Sequence, residues 1–174
     1  ARPTPAIVNR ISVAAGALEN YREILFLDAQ HNGAREALEA LLQNPDLRAE
    51  AAAILENIYE ERGDWMKLLV ALDILAEAEG DSDKRVALLR KVARVSSEML
   101  NDHQRAFKAL ASALREQPHH NETRAELQRI ADVSSSWKAL TELYESIGES
   151  LTDAMLARSY WMLSARIEDE ALGL

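Results

Sequence analysis

The chain has 174 residues, a formal charge of −9 and no cysteine, so disulfides, thiolate metal sites and a cysteine nucleophile are excluded. Aromatic residues make up 5%, and there are only 6 Gly and 4 Pro, too few turn-formers for an all-β fold, which leaves helix as the expectation. The acidic balance also argues against nucleic acid as a partner, because phosphate contacts need clustered cations on a basic surface.

In chain order, apolar residues at helical spacing predict helices at about 4–15, 17–28, 33–43, 46–62, 64–79, 83–100, 103–117, 120–133, 136–149 and 153–172. The breaks between them are short: Gln30-His31-Asn32-Gly33, Asn44-Pro45-Asp46, Gly63-Asp64, Gly80-Asp81-Ser82, Asn101-Asp102, Pro118-His119, Ser134-Ser135-Ser136 and Leu151-Thr152-Asp153. Each holds residues that either leave a helix in the left-handed conformation or accept from the free amides of the next one. No apolar run approaches the roughly 18 residues of a membrane span, and no retained signal peptide opens the chain, so no membrane contact is expected. The sequence starts at Ala1 and stops inside the pattern of a helix, as a piece of a longer protein would. The default expectation is a soluble, cytoplasmic location.

The sequence resembles itself. With Trp65 laid on Trp137, Leu68 falls on Leu140, Glu77 on Glu149, Asp81 on Asp153, Ala93 on Ala165, Arg94 on Arg166, Glu98 on Glu170 and Leu100 on Leu172. The pairs Leu55/Leu127, Ile58/Ile130, Leu75/Ile147 and Val95/Ile167 keep the same register at apolar positions. With Ala17 laid on Ala106, the positions Tyr21, Ile24 and Leu38 fall on Leu110, Ala113 and Leu127. A helical hairpin repeated several times accounts for both registers.

The spacing Ala106, Leu110, Ala113, Pro118 resembles the second helix of the tetratricopeptide-repeat family, and Ala17, Tyr21, Ile24, Ala29 follow it with Ala in place of Pro. Trp137, Leu140, Thr141 and Tyr144 resemble the first helix, with Thr for the family's Gly, whereas Trp65 and Leu68 alone survive in the earlier copy. Counting from Pro118 makes 83–100 a first helix and 103–117 a second, and alternation then makes 136–149 a second helix, in conflict with the Trp137 pattern. In that phase Trp65 and Trp137 are expected in the core, and the segment after Asn44-Pro45-Asp46 is expected as one inserted helix. The resemblance implies an all-α, right-handed α-α superhelix of about nine or ten antiparallel helices, with 1–174 forming one repeat domain.

Stacked hairpins present a broad concave surface, so the expected function is a non-catalytic scaffold that binds a protein or peptide there. The alternative is a structural segment that self-associates through its end helices, near Ile7-Val8 and Tyr160-Trp161. Lys84, Arg90, Lys91 and Arg94 fall within a sector of about 120° on one helix and are the candidate partner-binding residues, able to hold an acidic peptide or to serve only as a solvated face paired with acids such as Asp81, Asp83 and Glu98. The family's clamp for chain termini needs Asn where Val95 stands, so that ligand is not expected. His119 and His120 point about 100° apart on a helix start and suit a cap or loop rather than chelation, with His103 nearby. The acids at Glu60-Glu61-Asp64, Glu77-Glu79-Asp81-Asp83 and Glu168-Asp169-Glu170 lack the later Gly and Glu of a calcium loop. With no GxSxG, phosphate-cradling Gly loop or HExxH either, no catalytic residue, cofactor or metal is expected.

Overall fold

The computed structural model describes residues 5–28 and 30–172, with side chains described for 16–28 and 30–170. Among them stand nine α-helices and no strand: α1 (Pro5–Leu27), α2 (Asn32–Leu41), α3 (Arg48–Arg62), α4 (Trp65–Ala78), α5 (Ser82–Arg94), α6 (His103–Glu116), α7 (Asn121–Ser134), α8 (Trp137–Ser150) and α9 (Ala154–Ile167). Both α5 and α9 continue into one wider π turn, Val95–Met99 and Glu168–Leu172. No helix among the described residues is long and apolar enough to cross a membrane. The expected break at Gly16 is absent: α1 runs through it, because a lone glycine costs a helix only about 1 kcal/mol and needs no left-handed residue to be accommodated.

Helix boundaries follow local chemistry. Asp81, Asp102 and Asp153 precede α5, α6 and α9, and each carboxylate accepts amides of the first turn. His31 and His120 do the same for α2 and α7 through Nδ1, which accepts from Ala34 N and Thr123 N and is therefore unprotonated. His120 is thus a cap, as expected, and α6 begins at His103.

The corner between α3 and α4 recurs between α7 and α8. Gly63 has φ 70° and Ser135 φ 54°. Asp64 N donates to Tyr59 O and Ser136 N to Ala131 O, the wrap-around bond that closes a helix on a left-handed residue. Trp65 and Trp137 then each open the next helix. Neither Trp lies in the core; both are half-buried. A side chain in the first helical turn leans back toward the N-terminus, which for Trp65 brings the indole over the corner beside Gly63.

The chain forms two compact units, 1–79 and 80–174. In the first, α3 and α4 pack closely along one another, α2 lies on α3, and α1 touches both α2 and α3. The helix after Asn44-Pro45-Asp46, expected as an insertion, is therefore half of this unit's closest pair. Its core gathers Leu18 and Leu25 from α1, Leu38 from α2, Leu55, Ile58 and Tyr59 from α3, and Leu68, Leu69 and Leu72 from α4. Ala17, Tyr21 and Ile24, the motif positions, are only half-buried, and Ala29 lies outside the described residues. The buried Tyr59 hydroxyl donates to Glu39 at 3.0 Å, and Lys67 reaches the same oxygen at 2.7 Å, so one carboxylate joins α2, α3 and α4. Burial alone raises the Glu39 carboxyl, but the bonds from Lys67 and Tyr59 outweigh it and hold the group below the ordinary carboxylate range.

In the second unit α5 packs along α6, α6 along α7, and α8 along α9. Ala106, Leu110 and Ala113 are all buried, and each leucine fully removed from water contributes roughly 2 kcal/mol. By contrast α8 lies far more closely along α9 than along α7. Counting from Pro118 pairs α5 with α6, which pack closely, but it also pairs α8 with α7, whereas α8 packs chiefly against α9. Gly148 of α8 lets the Trp161 indole of α9 approach closely, for a Cβ on Gly148 would stand only 3.1 Å from the ring. Tyr144 and Tyr160 meet edge to face at 5.4 Å, and the Tyr160 hydroxyl donates to the carbonyl of Pro118.

Candidate partner-binding groove

Helices α5 and α7 flank α6 and turn one face each toward a shared cleft of about 320 Å³. Ala87, Arg90, Lys91, Arg94, Ser97 and Glu98 form one wall; spacings of three and four keep them on one helix face. Glu126, Arg129 and Ile130 form the other, and Leu110 of α6 lies between.

Of the four cations singled out by sequence, three line this cleft and one does not. Lys84 is exposed in the first turn of α5, outside the lining. Arg90 is engaged with α7: its Nη2 donates to Glu126 Oε1 at 2.6 Å, its Nε to Oε2 at 3.2 Å, and its Nη1 lies 3.0 Å from Glu122. The two parallel bonds to Glu126 are the fork geometry that a guanidinium favours, and they hold the Arg90 pKa above its ordinary value against the opposing effect of burial. Lys91 is half-buried along the cleft. Arg94 is exposed at its edge, with its carbonyl taking the Ser97 hydroxyl.

Arg129 and Glu126 are members of the site that the sequence did not single out, whereas Glu98 is one of the acids expected beside the stripe. Arg129 is exposed on the wall facing Arg94's, and among the described residues neither guanidinium has an ion-pair partner. The signal for it in the sequence is slight: Glu122, Glu126 and Arg129 recur at helical spacing, but which helix they face depends on packing two elements away.

The cleft offers charge and shape. Its lining holds no histidine, and its one hydroxyl, Ser97, is spent on a backbone carbonyl. Among the described residues no three His, Asp or Glu side chains gather to hold a metal ion. Comparison with family models, curated proteins and solved structures yields no match. The geometry of this cleft is accordingly what any functional reading rests on.

A second cleft of similar volume lies between α6 and α8, lined by Phe107, Lys108, Arg115, Glu142 and Leu143 among others. Its two cations and one acid project from exposed positions, and no carboxylate ties its walls together as Glu126 ties those of the first.

Proposed function

We propose that the chain is a non-catalytic protein-interaction module whose helix pairs are turns of a right-handed α-α superhelix of the tetratricopeptide kind. A peptide segment of a protein partner lies in the groove between α5 and α7. The observation that carries this reading is the groove itself: two helices that are not consecutive face one another across a third, and their side chains leave an open channel rather than a closed core.

The test is selection of binders from a displayed library of random-sequence peptides on the whole chain, followed by hydrogen-exchange mapping of the bound state. Protection concentrated in 87–98 and 126–130 is the expected result. Binders that protect other surfaces only, or a selection that yields none, overturn the reading.

One observation favours a second reading, self-association. On α9, Met155 is 85% exposed and Met162 62%, one above the other at a spacing of seven, with Trp161 also at the surface. The other end named for this reading, Ile7-Val8, lies outside the described side chains. Sedimentation of the chain with and without 153–174 separates the readings, since loss of a dimer on truncation supports self-association.

A further inference from the structure

We infer that the α5–α7 groove is selective for an acidic segment, one that presents Asp or Glu side chains to Arg94 and Arg129 from within an extended stretch of chain. The inference rests on the reading of this groove as a partner site and adds the chemistry of the partner. Four guanidinium or ammonium groups border the cleft, Arg90, Lys91, Arg94 and Arg129, in a chain whose formal charge is −9. Arg90 is already neutralised by Glu126 and Glu122. Arg94 and Arg129 are not matched in this way; they stand on opposite walls, exposed, and among the described residues neither meets a carboxylate.

Two separate guanidinium groups on two walls call for two anionic groups spaced along a ligand. Side-chain carboxylates fit better than phosphate. Each of two carboxylates meets one guanidinium, whereas a single phosphate concentrates its charge at one point between Glu98 and Glu126 and leaves the second guanidinium unmatched. The overall charge of −9 opposes an acidic segment, so its binding depends on a local surplus of cations such as the one that lines this groove. Leu110 and Ile130 close the floor of the channel but are themselves covered, and Ala87 is the apolar residue of the lining that stands open to solvent.

The experiment continues from the library selection. Peptides recovered at the groove are resynthesised with Glu, Gln or phosphoserine at their enriched positions, and affinities are measured on the whole chain and on the Arg94→Gln, Arg129→Gln and Arg158→Gln variants. Arg158 is exposed on α9, outside the groove, and serves as control. The expected result is enrichment of Asp and Glu, a loss of about threefold for each groove variant with the Glu peptide and of about tenfold for the double variant, and none for Arg158→Gln. The Glu peptide also weakens with added salt, and the Gln peptide does not. Groove binders without acidic enrichment, or affinities unchanged in the double variant, overturn the inference and leave the groove reading in place. A phosphoserine peptide that binds tenfold more tightly than its Glu counterpart overturns the choice of carboxylate. Where no recovered peptide protects α5 and α7, both readings fall together.

Discussion

Gly63 and Ser135 occupy the same left-handed corner in two copies, and only the glycine does so without a Cβ against its own carbonyl. For an L side chain that conformation costs roughly 1–2 kcal/mol. Gly63→Ala is expected to lower stability by about that much, read as a drop in the urea midpoint at unchanged slope. Ser135→Gly is expected to raise stability by less than about 1 kcal/mol, because the added freedom of the unfolded glycine offsets part of the relief. Glu39 supplies a dependence on pH. Its folded carboxyl titrates below the ordinary value of 4.5, so the stability it contributes is fully present above that value and is lost as pH falls through the depressed folded one. Glu39→Gln should therefore be less stable than the parent at neutral pH and flatter between pH 4.5 and the acid limit, as followed by thermal melts across pH.

At the scale of elements, the Arg90 fork ties α5 to α7, on a stripe that the sequence offered either as a site for an acidic peptide or as a solvated face. Removing either partner leaves the other half-covered. A double-mutant cycle with Arg90→Met and Glu126→Gln is expected to give a coupling of about 1 kcal/mol, since the pair is forked but still reached by water. A coupling near zero would reduce the contact to coincidence. What the sequence conveyed and what it withheld divide along the same line. Caps such as Asp81, Asp102 and Asp153, the left-handed Gly63 and the small positions Ala106 and Ala113 act within one turn or one hairpin, so they were legible. Gly16 misled because glycine tolerates a helix as well as it ends one. Trp65 and Trp137 misled because apolar character marks a core position only when the helix turns that position inward, and both stand at a helix start. The pairing of Arg90 with Glu126, and the place of Arg129 across from Arg94, depend on how α5 and α7 flank α6, a relation that no local pattern encodes.

For the whole molecule, the corner after α3 and the corner after α7 share one local geometry, while the packing beyond them differs. The wrap-around bond and the left-handed residue are the same in both copies, yet α4 follows α3 closely whereas α8 turns to α9. Beside Gly148 a Cβ would stand 3.1 Å from the Trp161 indole, so a side chain there would require that ring to shift. The placing of the three indoles carries one more consequence. Residues 1–79 contain Trp65 alone, and 80–174 contain Trp137 and Trp161, all three partly open to water beside structure that must form locally. The native chain thus carries an optical label in each unit: exchanging Trp65 for Phe leaves the melting of the second to be watched alone, and exchanging Trp137 and Trp161 leaves that of the first, without attaching a dye.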